Sequence, residues 1–274
     1  MYLDFYGLKE NPFNVTSDPN FLYLSRAHRE ALSYLLYGIK EKKGFLEITG
    51  EVGAGKTTLC KALLNQLGSD AKTAFILNPN LSELQLLEAI VEDFGIKPAR
   101  RTKVSLLRQL NNFLLEELRK NSNVVLILDE AQDMKNRTLE AIRLLSNLET
   151  DKEKLFQIVL VGQPELRRKL KSPSLLQLRQ RIGVRFHINP LQKEEIEKYI
   201  YHRLKVAGSG GDAYFTEDAL DKIFRFSDGI PRLINLVCDK ALLSGFVLGT
   251  KSINGDTIDK SVFEIEGMPQ EIKV

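Results

Sequence analysis

Between Phe45 and Ile188 the chain alternates two kinds of pattern. Short apolar runs, Phe45 to Thr49, Thr73 to Leu77, Val124 to Leu128, Gln157 to Val161 and Val184 to Ile188, have the length and β-branched content of buried strands. Between them, apolar residues return at helical spacing. Ser82-Glu83-Leu84-Gln85 has the capping-box arrangement, serine with glutamine three positions on, and predicts a helix running toward Phe94 that Gly95 and Pro98 end. Leu106 to Leu118 predicts another, closed by the Asn121-Ser122-Asn123 turn. Strand and helix in alternation imply a parallel five-stranded sheet covered by helices, an α/β core over residues 45–190.

Past Asn189-Pro190 the strand-sized runs stop. Glu194 to Val206, Asp218 to Phe226, Pro231 to Leu248 and Gly255 to Glu266 read as helices and predict a small all-helical domain over 191–266, with 267–274 as a tail. Gly208-Ser209-Gly210-Gly211 reads as a flexible loop between the first two helices. Residues 1–44 form a separate N-terminal segment.

Composition narrows the class. Hydrophobic residues make up 43% and charged residues 27% of 274 positions, an ordinary globular balance, and no apolar stretch reaches membrane-spanning length. The N-terminus, Met1 to Tyr6, lacks the basic start and apolar segment of a secretory signal, so cytoplasmic residence is the expectation. Cys60 and Cys238 are far apart and read as buried, reduced thiols. His28, His187 and His202 have no metal-ligand spacing with each other or with the cysteines. A net charge of +3 neither demands nor excludes nucleic acid.

The chemistry begins at Gly50-Glu51-Val52-Gly53-Ala54-Gly55-Lys56-Thr57, a complete G-x-x-x-x-G-K-T phosphate loop followed by Thr58. An apolar strand precedes it and a helix follows, the setting in which backbone N–H groups turn inward around a phosphate at the positive end of the helix. In that setting Lys56 reaches the β- and γ-phosphates and Thr57 holds Mg²⁺. Downstream, Val124 to Leu128 ends in Asp129-Glu130: Asp129 suits Mg²⁺, and Glu130 can polarise an attacking water. Together the two motifs point to hydrolysis of a nucleoside triphosphate.

Three further positions could sense or neutralise γ-phosphate charge. Gln163, beyond Gly162 at a strand end, is a sensor or a turn residue ahead of Pro164. Arg179 and Arg181 precede the last strand, as an arginine finger for a neighbouring subunit or as solvated arginines. Arg232, after Pro231 at a helix start, bends over the γ-phosphate or makes a surface ion pair.

These residues, with Phe5-Tyr6-Gly7-Leu8, Asn11-Pro12-Phe13, Leu144 to Thr150, Val161 to Leu166 and Gly229 to Asn235, resemble AAA+ ATPases and more narrowly the general secretion pathway protein A (ExeA-type) family. The resemblance implies a P-loop AAA+ core followed by a helical lid. It assigns Gln163 to sensor 1, Arg232 to sensor 2 and Arg181, or failing it Arg179, to the trans-acting finger of a homo-oligomer. It also lays the N-terminal segment around Pro12 and Phe13 against the adenine, and offers Asn78 as the polar residue that contacts the catalytic glutamate. Longer members continue into a membrane span and a periplasmic peptidoglycan-binding domain, through which they help insert the outer-membrane secretin; neither lies in these 274 residues, which suits a soluble member or the cytoplasmic part of a longer one.

The resulting expectation is an ATP- and Mg²⁺-dependent assembly factor for a bacterial envelope or secretion system, peripheral at the inner membrane through a membrane-protein partner. A second reading is a DNA-associated regulator of the transposition-helper type, for which the basic runs Arg100-Arg101-Thr102-Lys103, Arg167-Arg168-Lys169 with Lys171, and Lys40 to Lys43 supply candidate phosphate contacts. A third is an ATP-gated scaffold with negligible turnover, which intact Lys56, Asp129 and Glu130 argue against.

Overall fold

Three strands of the core are buried at every or nearly every position, and that decides where they lie. A computed structural model describes residues 2–68, 71–148, 154–211 and 213–267. In chain order the first elements are α1 (Tyr2–Phe5), α2 (Arg26–Lys40), β1 (Phe45–Gly50), α3 (Lys56–Leu67), β2 (Ala71–Ile76), α4 (Glu83–Asp93) and α5 (Lys103–Arg119). There follow β3 (Asn123–Leu128), α6 (Asn136–Leu145), β4 (Gln157–Gly162), α7 (Pro164–Leu170), α8 (Leu176–Arg181) and β5 (Ile182–Ile188). The last are α9 (Lys193–Val206), β6 (Tyr214–Phe215), α10 (Glu217–Ser227), α11 (Pro231–Val247), β7 (Ser252–Ile253) and α12 (Gly255–Glu266).

The sheet order is β2-β3-β4-β1-β5, with every pair parallel. β1 and β4 are buried throughout and β3 in all but its first residue, as strands covered on both faces must be, whereas the edge strands β2 and β5 mix buried with exposed positions. Leu126, Leu128, Ile158 and Leu160 meet Leu86, Ile90, Leu110 and Leu139 of the covering helices in one apolar cluster. Burying each such side chain contributes roughly 1.5–3 kcal/mol. The capping box at α4 forms as the sequence predicts, with Ser82 and Gln85 bonded reciprocally.

The chain falls into two units, one of residues 28–51 and 59–188, the other of residues 1–27, 52–58 and 189–274. This differs from a division into 1–44, 45–190 and 191–266: the first 27 residues join the helical unit, and α2 joins the sheet. The reason lies in the aromatic N-terminus, since Tyr6, Leu8, Phe13 and Phe21 enter the same core as Tyr199, Ile200, Phe215, Val237 and Leu242. Tyr6 donates its hydroxyl to Leu242 O at 3.0 Å. The helical unit also carries a two-residue parallel ladder, Tyr214 with Ser252 and Phe215 with Ile253, too short to leave a periodic signature. Of the tail, 268–274 lies outside the described residues. Among the described residues no helix is long and apolar enough to cross a membrane.

Candidate functional site

β1 ends at Gly50 and α3 begins at Lys56, so residues 51–55 are the loop that the glycines predict. Gly53 and Gly55 have φ of +80° and +86°, a region L side chains rarely enter. Gly53 is required a second time, because a Cβ there would collide with Arg232 Cβ. Lys56 opens a twelve-residue helix whose first-turn N–H groups and dipole favour an anion. In the helical unit, Arg232 N–H donates to Gly53 O at 3.2 Å, which brings the start of α11 onto the loop. Pro231 sits at the first turn of that helix, where its missing donor costs nothing.

Pro12 and Phe13 belong to the same unit, and both are buried. The Phe13 ring, 2% exposed, packs in the core of the helical unit. What fixes this segment is Arg203, 7% exposed, which donates from Nε to Pro12 O at 2.5 Å and from Nη2 to Asn14 O at 3.0 Å. Its guanidinium lies 4.9 Å from the centroid of Phe21, a cation–π distance. Sequence reasoning missed Arg203. Its signal was available: with Ile196, Tyr199 and Ile200 it completes the i, i+3, i+4, i+7 face of α9, a core position for a charged residue.

In the sheet unit, Asp129 follows β3 and is 2% exposed. Its Oδ1 accepts the Glu130 N–H at 2.9 Å. Glu130 then takes φ +52°, ψ +38°, left-handed backbone that disfavours a side chain. Its carboxylate Oε2 accepts from Gln132 Nε2 at 2.7 Å and from Gln163 Nε2 at 3.2 Å. The ends of β3 and β4 are adjacent in the sheet, and that pairing brings Glu130 and Gln163 together. Pro164 at the first turn of α7 leaves Gln163 just outside the helix, its N–H bonded to Gln132 Oε1 at 3.0 Å. Lys169 anchors the intervening loop by donating to the carbonyls of Gln132 and Met134. Asn78 Oδ1 accepts from Asn80 N at 3.3 Å, and the amides on Glu130 come from Gln132 and Gln163.

The two candidate fingers differ in setting. Arg181, half-buried at the end of α8, donates from Nη1 to Ser146 Oγ at 2.8 Å and Asn147 Oδ1 at 2.5 Å. Arg179 is exposed, and its carbonyl accepts from Arg185. Arg185 also lies 3.4 Å from Glu47, a carboxylate of β1 that is 3% exposed, with Arg167 at 3.8 Å. Burial pushes the Glu47 carboxyl up, and Arg185, Arg167 and Arg179 pull it only partly back. Glu149 and Thr150, in the motif next to Asn147, lie outside the described residues.

Thr57 and Asp129 offer hydroxyl and carboxylate oxygens, the hard donors that suit Mg²⁺ shared with nucleotide phosphates. Among the described residues no group of three or more His, Cys, Asp or Glu could hold a metal. Both cysteines are buried, and burial pushes the Cys238 thiol well up.

Residues 39–170 match the AAA domain family. The chain is 44% identical over 272 residues to general secretion pathway protein A of Aeromonas hydrophila, a match covering 99% of this chain and 50% of that protein. The chain thus spans about half the length of this curated relative. Among solved structures, the Aeropyrum pernix ORC2 protein in its ADPNP–ADP complexes superposes with TM-score 0.68 at 20% identity, over 96% of this chain and 73% of that one. Cdc6p of Pyrobaculum aerophilum gives 0.67 at 19%, over 91% and 74%. The RuvB Holliday junction branch migration motor of Thermotoga maritima gives 0.57 at 20%, over 87% and 68%. Those structural likenesses carry the fold. The chain thus matches an AAA domain over residues 39–170 and is similar to general secretion pathway protein A.

Proposed function

We propose that this AAA ATPase hydrolyses ATP with Mg²⁺ as part of an oligomeric assembly factor for a bacterial envelope or secretion system. The bonds that Gln163 and Gln132 make to Glu130 carry the reading, because they join a carboxylate base to a γ-phosphate sensor at adjacent strand ends. In this mechanism the loop N–H groups and Lys56 bind the β- and γ-phosphates, and Thr57 and Asp129 hold the ion, which when bound neutralises phosphate charge. Glu130 takes the proton of the attacking water, Gln163 orients the γ-phosphoryl group, and Arg232 senses it from the start of α11. Arg181 serves the site of a neighbouring subunit, and the chain around Pro12 meets the adenine while the Phe13 ring stays in the core of the helical unit. The secretion role rests on the similarity to general secretion pathway protein A, and the reading includes a membrane-protein partner at the inner membrane.

The DNA-associated alternative weakens on the basic runs themselves. Arg167 faces Glu47, Arg168 bonds Glu165 at 2.6 Å, and Lys169 is spent on two carbonyls. Arg101 and Lys103 face Glu88 and Glu83 at 2.8 and 3.1 Å. Charges paired within the chain have less to offer a phosphate backbone.

The test is steady-state hydrolysis beside nucleotide binding. Glu130→Gln should keep MgATP affinity and lose about 10²- to 10⁴-fold in kcat, the scale of a positioned base, while Lys56→Ala should lose binding. A wild-type rate in Glu130→Gln removes Glu130 as base.

A further inference from the structure

Gln132, two residues past the carboxylate pair, touches both Glu130 and Gln163. Its Nε2 donates to Glu130 Oε2 at 2.7 Å, and its Oε1 accepts the backbone N–H of Gln163 at 3.0 Å. The ring closes through Gln163 Nε2, which donates to the same Oε2 at 3.2 Å. The fold keeps a seat for this amide: a Cβ on Gly162 would lie 2.7 Å from Gln132 Oε1. A side chain at the end of β4 would therefore push the Gln132 amide out of its present position, and glycine there leaves that position open. Glu130 itself stands on left-handed backbone, a conformation that persists only where surrounding bonds over-determine it.

We propose that Gln132 is a positioning residue that sets which oxygen of Glu130 faces the reaction and ties that choice to the γ-phosphate sensor. This rests on Glu130 being the base. Both amide donors fall on Oε2, so the water falls to Oε1. In the step served, the water oxygen bonds to the γ-phosphorus, the bond from that phosphorus to the bridging oxygen of ADP breaks, and the water proton passes to Glu130. A carboxylate released from the amide would rotate about its side-chain torsions and lose the alignment. Because the Oε1 anchor is the backbone of Gln163, a shift of the sensor moves the base with it.

The experiment is a double-mutant cycle on the full chain, reading kcat, MgATP affinity and melting temperature. Gln132→Ala should lower kcat by about 10- to 10²-fold, the cost of a base misplaced by about an ångström, with MgATP affinity unchanged. In the Glu130→Gln background the same substitution should change kcat by less than about twofold, since nothing remains for it to position. Gln132→Glu, which keeps the length but lacks the donor, should match Gln132→Ala in kcat and guards against a packing defect in the alanine variant. Equal losses in both backgrounds, or a wild-type kcat in Gln132→Ala, would overturn the positioning role and leave Glu130 as base. A wild-type rate in Glu130→Gln alone removes the base, and this inference with it.

Discussion

The two units of the chain build their functional groups from different material. In the helical unit the phosphate loop is backbone: two glycines at positive φ, helix N–H groups, and a carbonyl that meets the start of α11. In the sheet unit the working groups are side chains held by other side chains, Glu130 by two glutamines and Arg181 by Ser146 and Asn147. Backbone sites are specified by where a Cβ is forbidden, which one glycine can encode. Side-chain sites need partners from separate elements, so they can be lost one partner at a time while the fold remains.

The largest expected effect sharpens that contrast on the sheet side. Arg181→Ala should leave nucleotide binding and melting temperature nearly unchanged, yet remove assembled ATPase activity by on the order of 10³-fold, as other trans-acting arginines do. Mixing Arg181→Ala chains with Lys56→Ala chains, each nearly inactive, should restore activity, because an intact arginine on one then serves an intact loop on the other. Absence of recovery in chains shown to co-assemble moves the finger to Arg179.

The next effect belongs to the helical unit and is one of stability. Arg203→Met keeps bulk but withdraws two charged donors from the carbonyls of Pro12 and Asn14, a loss of about 3 kcal/mol at the usual worth of such bonds. Hydrogen exchange should rise at residues 11–14 and stay slow in β3. Equal loss of protection in both places would break the contrast, since it would mean that the units unfold as one.

The smallest effect is a pH dependence in the sheet unit. Burial raises the Glu47 carboxyl in the folded chain, so the folded state holds that proton more tightly than the unfolded state. The contribution is therefore fully present below the ordinary glutamate range and is lost as pH rises through the raised value. Glu47→Gln, neutral throughout, should gain stability relative to wild type as pH rises from about 4 toward 7, read as melting temperature. A constant difference between the two across that range would show that Arg185 and Arg167 fully offset the burial.

Much of this was legible in the residues. The phosphate loop, the strand ending in Asp129-Glu130 and the five strands each declare themselves within a dozen positions, because local backbone geometry and period-dependent burial leave local marks. The edge strands were placed less closely, β5 starting at Ile182 where the pattern suggests Val184, because an edge strand's burial alternates and blurs its start. Other features exist only once distant segments meet. The amides bonded to Glu130 are those of Gln132, which also reaches across to the end of β4, and of Gln163, a pairing no local pattern announces. The N-terminal segment lies with the helical unit because Tyr6, Phe13 and Phe21 find an apolar core and Arg203 finds two carbonyls there, partners nearly two hundred residues away. The sequence by itself determined the candidate chemistry, since phosphate cradles and carboxylate ends are local. Tertiary structure alone decided which amide holds the base and which unit the first residues join, because a hydrogen bond or a buried ring is satisfied by whatever lies nearest in space.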